Sequence, residues 1–449
     1  MSNLSEYTKK QIKLCEKNDA IEKELYVDLG VKRGLRDENG KGVLTGLTNI
    51  SSIRAFKTVD GKEVPADGEL LYRGYDVKEL VKGGIGKRYI FEEGAYLLLF
   101  GELPNEQQLK EFSRMINSSM TFPKSFVRDV IMKAPEIDIM NTMTRCILTL
   151  AFYDEEKENL EFSNVLRQSI QLIATFPMMA VYGYHAYNYR DNGGSVYIHN
   201  PDENLSIAEN ILRMLRGDMQ FTELEARVLD IALLLHMEHG GGNNSTFTTR
   251  VVTTSGADTY AVIAAAMSSL KGKKHGGANL MVMNMMDDIK AHISDYEDKE
   301  ELEMYLHKIL NKEAFDKKGL IYGMGHAVYS LSDPREVVFK GFVEQLAKAK
   351  GRDEDMALYR NIEETATRLI AKERKIYKGV SPNVDFYSGF VYDMLGIPRE
   401  LYTPLFAIAR IVGWSAHRIE ELVTADKIIR PAYKSLIKEK KIYAAREER

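Results

Sequence analysis

Residues 222–240, TELEARVLDIALLLHMEHG, can bury their apolar side chains together in one way only. Leu224, Val228, Ile231, Ala232 and Leu235 recur at steps of three and four, which places them on one face of an α-helix. Thr222 is the expected N-cap and Gly240 the expected stop. His239 lies four residues after Leu235, and His236 falls on an adjoining part of the same face. Both imidazoles are therefore expected to point inward. The same period recurs in DTYAVIAAAMSSLKG and in FVYDMLGIP, the second ending at Gly396 and Pro398. With only eleven prolines in 449 residues to interrupt such runs, the expected fold class is mainly all-α.

Strand signals are confined to the early stretch NISSIRAFKTVDGKEVPADGELLYRG, where short alternating runs are separated by DGK and ADG turns. They predict a minor β element near 48–75. Residues 154–205 read as a mixed polar stretch containing NYRDNGGS, and a surface loop is expected there. The chain is longer than the roughly 250–300 residues at which one core stops growing, so a large and a small domain are expected. Residues from about 286 to 380 are strongly charged and helical while both flanks are more apolar, which suggests an inserted lobe. The expected division is a large domain of 1–276 and 385–449 around a small domain of 277–384.

No segment approaches the roughly 18 consecutive apolar residues of a membrane span. The N-terminus, MSNLSEYTKKQIKLCEKNDAIEKEL, has neither a secretory apolar core nor an acid-poor targeting character, so a cytoplasmic location is expected. Cys15 and Cys146 are the only cysteines, too few for a disulfide framework and without a CxxC metal pattern. A net charge of -4 provides no basic field to gather nucleic acid, and a small-molecule partner is expected instead.

Four of the nine histidines, at 236, 239, 275 and 326, sit beside glycine-rich or small-residue stretches. Zinc is disfavoured. The helical zinc motif spaces its histidines at i, i+4 with Glu directly after the first, whereas here the step is three and Glu238 precedes the second. His275, in KGKKHGGANLMVMNMM, is expected between the end of one helix and the start of another, where unpaired N–H groups favour a neutral imidazole. Such a ring can hydrogen-bond a carbonyl that becomes an enolate. His326 and Arg335 share the segment YGMGHAVYSLSDPR, in which Gly323 and Gly325 let backbone approach a ligand. Arg holds a carboxylate while His polarises the adjoining carbonyl. Asp385, in SPNVDFYSGF, is the candidate general base. A carboxylate removes a carbon-bound proton only when the carbanion is stabilised as an enol or enolate, so it needs a partner such as His275. Arg410, in the apolar run FAIARIVGW, and Arg430, in IIRP, would be costly without an anionic ligand. Each residue also has a structural reading: His236 and His239 as bonded core histidines, His275 as a solvent-facing loop residue, Arg335 as an exposed charge, Asp385 as an N-cap. Together they describe enolisation followed by carbon–carbon bond formation on a dicarboxylate, with no metal or redox cofactor required.

ELLYRGYDVKELV, FEEGAYLLLFGELP, LLLHMEHGGGNNSTFTTR, KHGGAN, GMGHAVYSLSDPR, PNVDFYSGF, FAIARIVGW and the Arg-Pro at 430 follow one another in an order and spacing that resemble the citrate synthases, including the 2-methylcitrate synthases. The resemblance implies a multihelical homodimer whose two domains close over oxaloacetate and acetyl-CoA, with acetyl-CoA as co-substrate and no permanently bound cofactor. It implies catalytic roles for His275, His326 and Asp385. It further implies that His236, His239, Asn243, Arg335, Arg410 and Arg430 bind oxaloacetate, Arg430 reaching across the dimer, and that Gly323, Gly325 and Lys378 contact CoA. Lys273 and Lys274 depart from the family's common Pro-Leu, and Ala327 and Ser330 from its common Arg and Lys, so the choice between acetyl-CoA and propionyl-CoA stays open. A metal-dependent hydrolase using His236, His239 and His275, and a non-catalytic helical interaction protein, are the readings from other classes.

Overall fold

The computed structural model describes residues 2–37, 41–325, 328–329, 331–373, 380–424, 426–440 and 443–448. Seventeen α-helices and one three-stranded antiparallel sheet account for the regular structure of these residues. Two compact units are distinguished. One comprises residues 1–47 with 429–449 and holds the α-helices Ser2–Asp19 and Glu24–Asp28; the other comprises 48–428 and contains the other α-helices and the sheet. No helix among the described residues is long and apolar enough to cross a membrane.

The mainly helical class agrees with the sequence reading, but residues 154–205 do not form a surface loop. They contain the helix Phe162–Asn192, the longest in the chain at 31 residues and buried along most of its length. Its apolar middle, around IQLIATFPMMAVYGY, outweighs the polar ends, and Pro177 costs it one hydrogen bond without breaking it. NYRDNGG is only its last turn, closed by Gly193 at φ 68°.

Strands β1 (Ser51–Val59), β2 (Lys62–Tyr72) and β3 (Tyr75–Asp76) lie where the β element was expected. The β1–β2 turn is Asp60-Gly61, with φ of 52° and 76°, a hairpin turn that suits the right-handed strand twist. The second expected turn, Ala66-Asp67-Gly68, instead lies inside β2. Gly68 is there for proximity: a Cβ on it would stand 2.3 Å from the Ser332 carbonyl and 2.6 Å from the Tyr329 ring. Its N–H donates to Ser332 Oγ at 3.2 Å. The hairpin is thus packed onto the segment leading into the helix Pro334–Ala349.

The helix of the opening sequence starts as expected, with Thr222 and Glu225 in a reciprocal capping box, but it spans Glu223–His236 and stops short of Gly240. The cause is Tyr72. A continuing helix would bond the Glu238 N–H to the Leu234 carbonyl. Here the Tyr72 hydroxyl stands between them, accepting from Glu238 N at 3.2 Å and donating to the carbonyls of Leu234 and Glu238 at 3.1 Å. His239 therefore stands on a turn beyond the helix, not on its buried stripe.

Gly68→Ala is expected to destabilise the protein by about 1–3 kcal/mol, the range for overpacking, because the nearest obstacle is backbone. Denaturant unfolding checks it; a free energy within 0.5 kcal/mol of wild type would contradict the packing described, that being roughly the scatter of neutral surface changes.

Candidate active site

Phe406, on the wholly buried face of the helix Tyr402–Thr424, lies at the centre of the site. Its ring meets His236 edge-on at 5.1 Å and His275 at 6.4 Å, and the Arg410 guanidinium lies over it at 4.6 Å. Phe406 and Arg410 are one helical turn apart, so the helix presents both on one side. His236 is buried, its Nδ1 beside the Ala232 carbonyl at 2.8 Å while its Nε2 has no hydrogen-bond partner. Burial, assisted by the charges of Arg335 and Arg410, depresses its pKa to about 3, so the ring is neutral.

Arg410 is fully buried. Its Nε donates to the His236 carbonyl at 2.8 Å, and its Nη1 has no partner. Burial lowers its pKa to about 10 although Glu238 and Tyr72 act to raise it. Arg335 is buried too, not an exposed surface charge, and it is paired: Asp333 accepts from Nε at 3.0 Å and from Nη2 at 2.8 Å. Asp333 also N-caps Arg335's own helix and accepts from the Val384 N–H at 3.3 Å, tying that helix to the one that carries Asp385.

Asp385 is in the first turn of the helix Val384–Met394. The cap is Asn383, which accepts from the Asp385 N–H at 3.0 Å, so the Asp385 carboxylate is not used for capping. Burial pushes its pKa up to about 6 against the pull of Arg335, with Asp333 helping and Arg410 opposing. His275 stands, as expected, between the helices Thr259–Leu270 and Ala278–His292, and burial together with Arg410 holds its pKa down at about 4. It is half-buried, not a solvent-facing loop residue. Its Nε2 is 3.0 Å from Ser245 Oγ, which also accepts from the Trp414 indole at 3.2 Å. His239 faces the Tyr329 ring at 5.6 Å.

At several other positions the groups are engaged within the protein. The Asn243 carbonyl oxygen caps the helix Asn244–Thr254, accepting from Ser245 N at 3.2 Å and Ser245 Oγ at 3.0 Å, which leaves only its amide nitrogen for a ligand. Gly240 and Gly241 face protein: a Cβ would meet Ile53 at 2.7 Å and the His417 ring at 3.3 Å. Gly323, at φ 80°, closes on Phe386, where a Cβ would lie at 2.8 Å. Its carbonyl accepts from Asn383 N, and Gly325, at φ 84°, donates to the Ser381 carbonyl at 2.7 Å. These bonds anchor the 321–325 segment beside Asp385's helix. His326, Ala327, Ser330 and Lys378 lie outside the described residues. Arg430, which is exposed, belongs to the unit of 1–47 and 429–449, whereas the site described is within 48–428. Both cysteines are free, Cys146 buried and Cys15 exposed. Among the described residues no group of three or more His, Cys, Asp or Glu is arranged to hold a metal ion. Sequence reasoning passed over Tyr72, Phe406, Asp333, Ser245 and His417, whose signal is spatial; only the Phe406–Arg410 spacing was open to it.

The family model "Citrate synthase, C-terminal domain" matches residues 38–432. A citrate synthase of Synechocystis is 34% identical over 389 residues, which is 86% of this chain and 89% of that protein. A 2-methylcitrate synthase of Shewanella oneidensis is 32% identical over 367 residues, 81% of this chain and 87% of that protein. Among solved structures, the ternary complex of carboxymethyl coenzyme A and oxaloacetate with the citrate synthase of Thermoplasma acidophilum superposes with a TM-score of 0.75 at 26% identity, covering 93% of this chain and 98% of that one.

A buried guanidinium with an unused donor is a cost that a bound carboxylate removes. At a hundred times its Kd, a small dicarboxylate is expected to stabilise the wild type by about 2.7 kcal/mol. Arg410→Met is expected to abolish that ligand effect and to change the stability of the free protein by less than roughly 3 kcal/mol, because the desolvation it relieves is opposed by the buried Glu238 charge it leaves less compensated. Thermal melts with and without the dicarboxylate check both; an undiminished ligand shift in the variant would contradict the assignment.

Proposed function

The chain belongs to the citrate synthase family, and from that premise we propose that it condenses acetyl-CoA with oxaloacetate and water to give citrate and CoA. The observation that carries this reading is the fully buried Arg410, its Nη1 unpartnered, beside the neutral His236 and the paired Arg335. A small dianion is the ligand that such a group of buried polar atoms suits.

The Asp385 carboxylate removes a proton from the acetyl methyl group, and the C–H electron pair becomes the enol double bond. A neutral His275 donates its N–H to the thioester oxygen as negative charge gathers there. The enol carbon attacks the oxaloacetate carbonyl, which His326 polarises and protonates, forming the new carbon–carbon bond of citryl-CoA. Water then cleaves the thioester, releasing CoA and citrate. Arg335 and Arg410 hold the carboxylates of oxaloacetate with His239, while His236 and Asn243 complete its pocket. CoA is held by the backbone at Gly323 and Gly325 and by Lys378. No permanently bound cofactor takes part, since acetyl-CoA is a co-substrate.

The large domain is 1–276 with 385–449, and the small domain, 277–384, closes over the cleft and excludes water from the thioester. The working form is a cytoplasmic homodimer in which Arg430 of the partner subunit completes the oxaloacetate pocket. Exposed apolar side chains in the unit of 1–47 and 429–449, among them Leu44, Leu47, Tyr433 and Tyr443, support a second copy as partner. The second reading, 2-methylcitrate synthase, is favoured by relatives of that name at 31–32% identity. One methylene changes binding by only about 1–3 kcal/mol, so a comparison of kcat/KM for acetyl-CoA and propionyl-CoA decides it.

In a thiol-release assay CoA is expected only when oxaloacetate and the acyl-CoA are both present. Asp385→Ala should lower kcat by roughly 10²–10⁴-fold. An unchanged rate would overturn the mechanism, and a rate abolished by chelators would return the metal-dependent hydrolase. The ionised carboxylate is the working base. Because its pKa is raised to about 6, kcat/KM is full above that pH and falls as the pH drops through it, instead of near the ordinary aspartate value of about 4.

A further inference from the structure

Glu238 sits between the two histidines of HMEH, is fully buried, and has no place in the reaction described. Its Oε1 is bonded from three directions. The Ser51 hydroxyl at the start of β1 donates at 2.8 Å, the Gly240 N–H of the turn itself at 2.5 Å, and His417 Nε2 on the helix Tyr402–Thr424 lies at 3.0 Å. Its Oε2 has no hydrogen-bond partner and occupies space that only a glycine leaves open: a Cβ on Gly413 would lie 2.5 Å from it. Burial alone would raise the pKa of this carboxyl, but His417, with Arg410 and Ser51, holds it at about 2, so it is ionised.

A turn that merely had to close could do so without a buried charge, which is costly unless paired. This charge is matched to two residues of the helix behind it, His417 and Arg410, and for Arg410 it is the strongest of the neighbouring charges. We propose that Glu238 is the positioning residue of the dicarboxylate half of the site, pinning the His239 turn between the β-hairpin and the helix that carries Arg410. The inference rests on the reading that His239 and Arg410 bind oxaloacetate. Glu238 touches no substrate and acts through the turn it holds. It also gives the hairpin a function: Ser51, Ile53 and Tyr72 all bear on residues 234–240.

The test is steady-state kinetics of the full chain with Glu238→Gln, Ser51→Ala and Gly413→Ala. Gln preserves the shape of Glu and removes its charge. Losing a negative charge beside Arg410 would by itself tighten a dianion, so a weaker interaction reports the lost geometry. Glu238→Gln is expected to raise the KM for oxaloacetate at least tenfold while the KM for acetyl-CoA stays within twofold. Ser51→Ala, which removes one of the three donors, and Gly413→Ala, whose Cβ would stand 2.5 Å from both the Glu238 carboxylate and the Met237 carbonyl of the turn it holds, should each raise the oxaloacetate KM at least threefold. A role confined to folding would lower the melting temperature and the yield but leave both KM values of the surviving enzyme unchanged. An oxaloacetate KM within twofold of wild type, or below it, in Glu238→Gln overturns the proposal. Should that variant not fold, an unchanged oxaloacetate KM in both Ser51→Ala and Gly413→Ala overturns it. A wild type that releases no CoA with oxaloacetate would sink the functional reading itself, whereas an active wild type with unaffected variants sinks only this inference.

Discussion

A guanidinium placed in a dry interior without a carboxylate of its own governs the arrangement around it. Arg410 stands on a buried helix, and its charge is met by the His236 carbonyl, the face of Phe406 and, at longer range, Glu238, Tyr72 and Asp385. Removing such an ion from water costs several kcal/mol even after relaxation. The core of the 48–428 unit supplies the stability that offsets this. The cost is accepted where a donor must be aimed before its partner arrives, because a preorganised site spends nothing on reorganisation at the moment of reaction. Arg335 represents the other solution: its bidentate pair with Asp333 leaves it nearly neutral as a unit and fixes its direction.

The backbone around these groups is shaped by one phenol. By taking the Glu238 N–H and donating toward the Leu234 carbonyl, Tyr72 ends a helix that the sequence would have carried on to Gly240. The end of that helix releases Met237–Asn243 into a turn, and the helix at Asn244 begins again under the Asn243 cap. Glycines in the turn then serve close approach to Ile53 and His417. A three-stranded sheet in a helical protein is thus the wall against which the turn is built.

The sequence was legible where the controlling contacts are local. Helical period, the Thr222 cap and the Asp60-Gly61 turn depend on neighbours within a few residues, and they lie where expected. His275 between two helices and the inward helix face at His236 followed from the same rules. What failed depended on distant partners. Gly240 could not reveal that Tyr72, 168 positions earlier, would stop the helix first. NYRDNGGS hid the apolar run before it, and ADG looked like a turn because nothing nearby announces Ser332 behind Gly68. Asp385 resembled a cap because the better cap, Asn383, is two residues away and competes for the same N–H groups. Glu238 reads in the sequence only as the wrong residue for a zinc motif, since two of its three partners come from positions 51 and 417.

The two titrating groups Asp385 and His275 are tuned by the charges of Arg335 and Arg410. Arg335 and Arg410 pull the Asp385 pKa down while burial pushes it up, and Arg410 lowers that of His275. On the proposed reading, a bound dianion offsets those positive charges. The downward pull on Asp385 then weakens, its pKa rises, and a carboxylate of higher pKa is the stronger base. His275, starting at about 4, remains neutral through a rise of this kind and keeps its role as donor. Oxaloacetate would in this way strengthen the base that acts on its co-substrate, whereas in the empty site the same arginines keep that base weak. Coupling of this sort needs no moving part: it requires only that one charge reach both titrating groups, as that of Arg410 reaches Asp385 and His275.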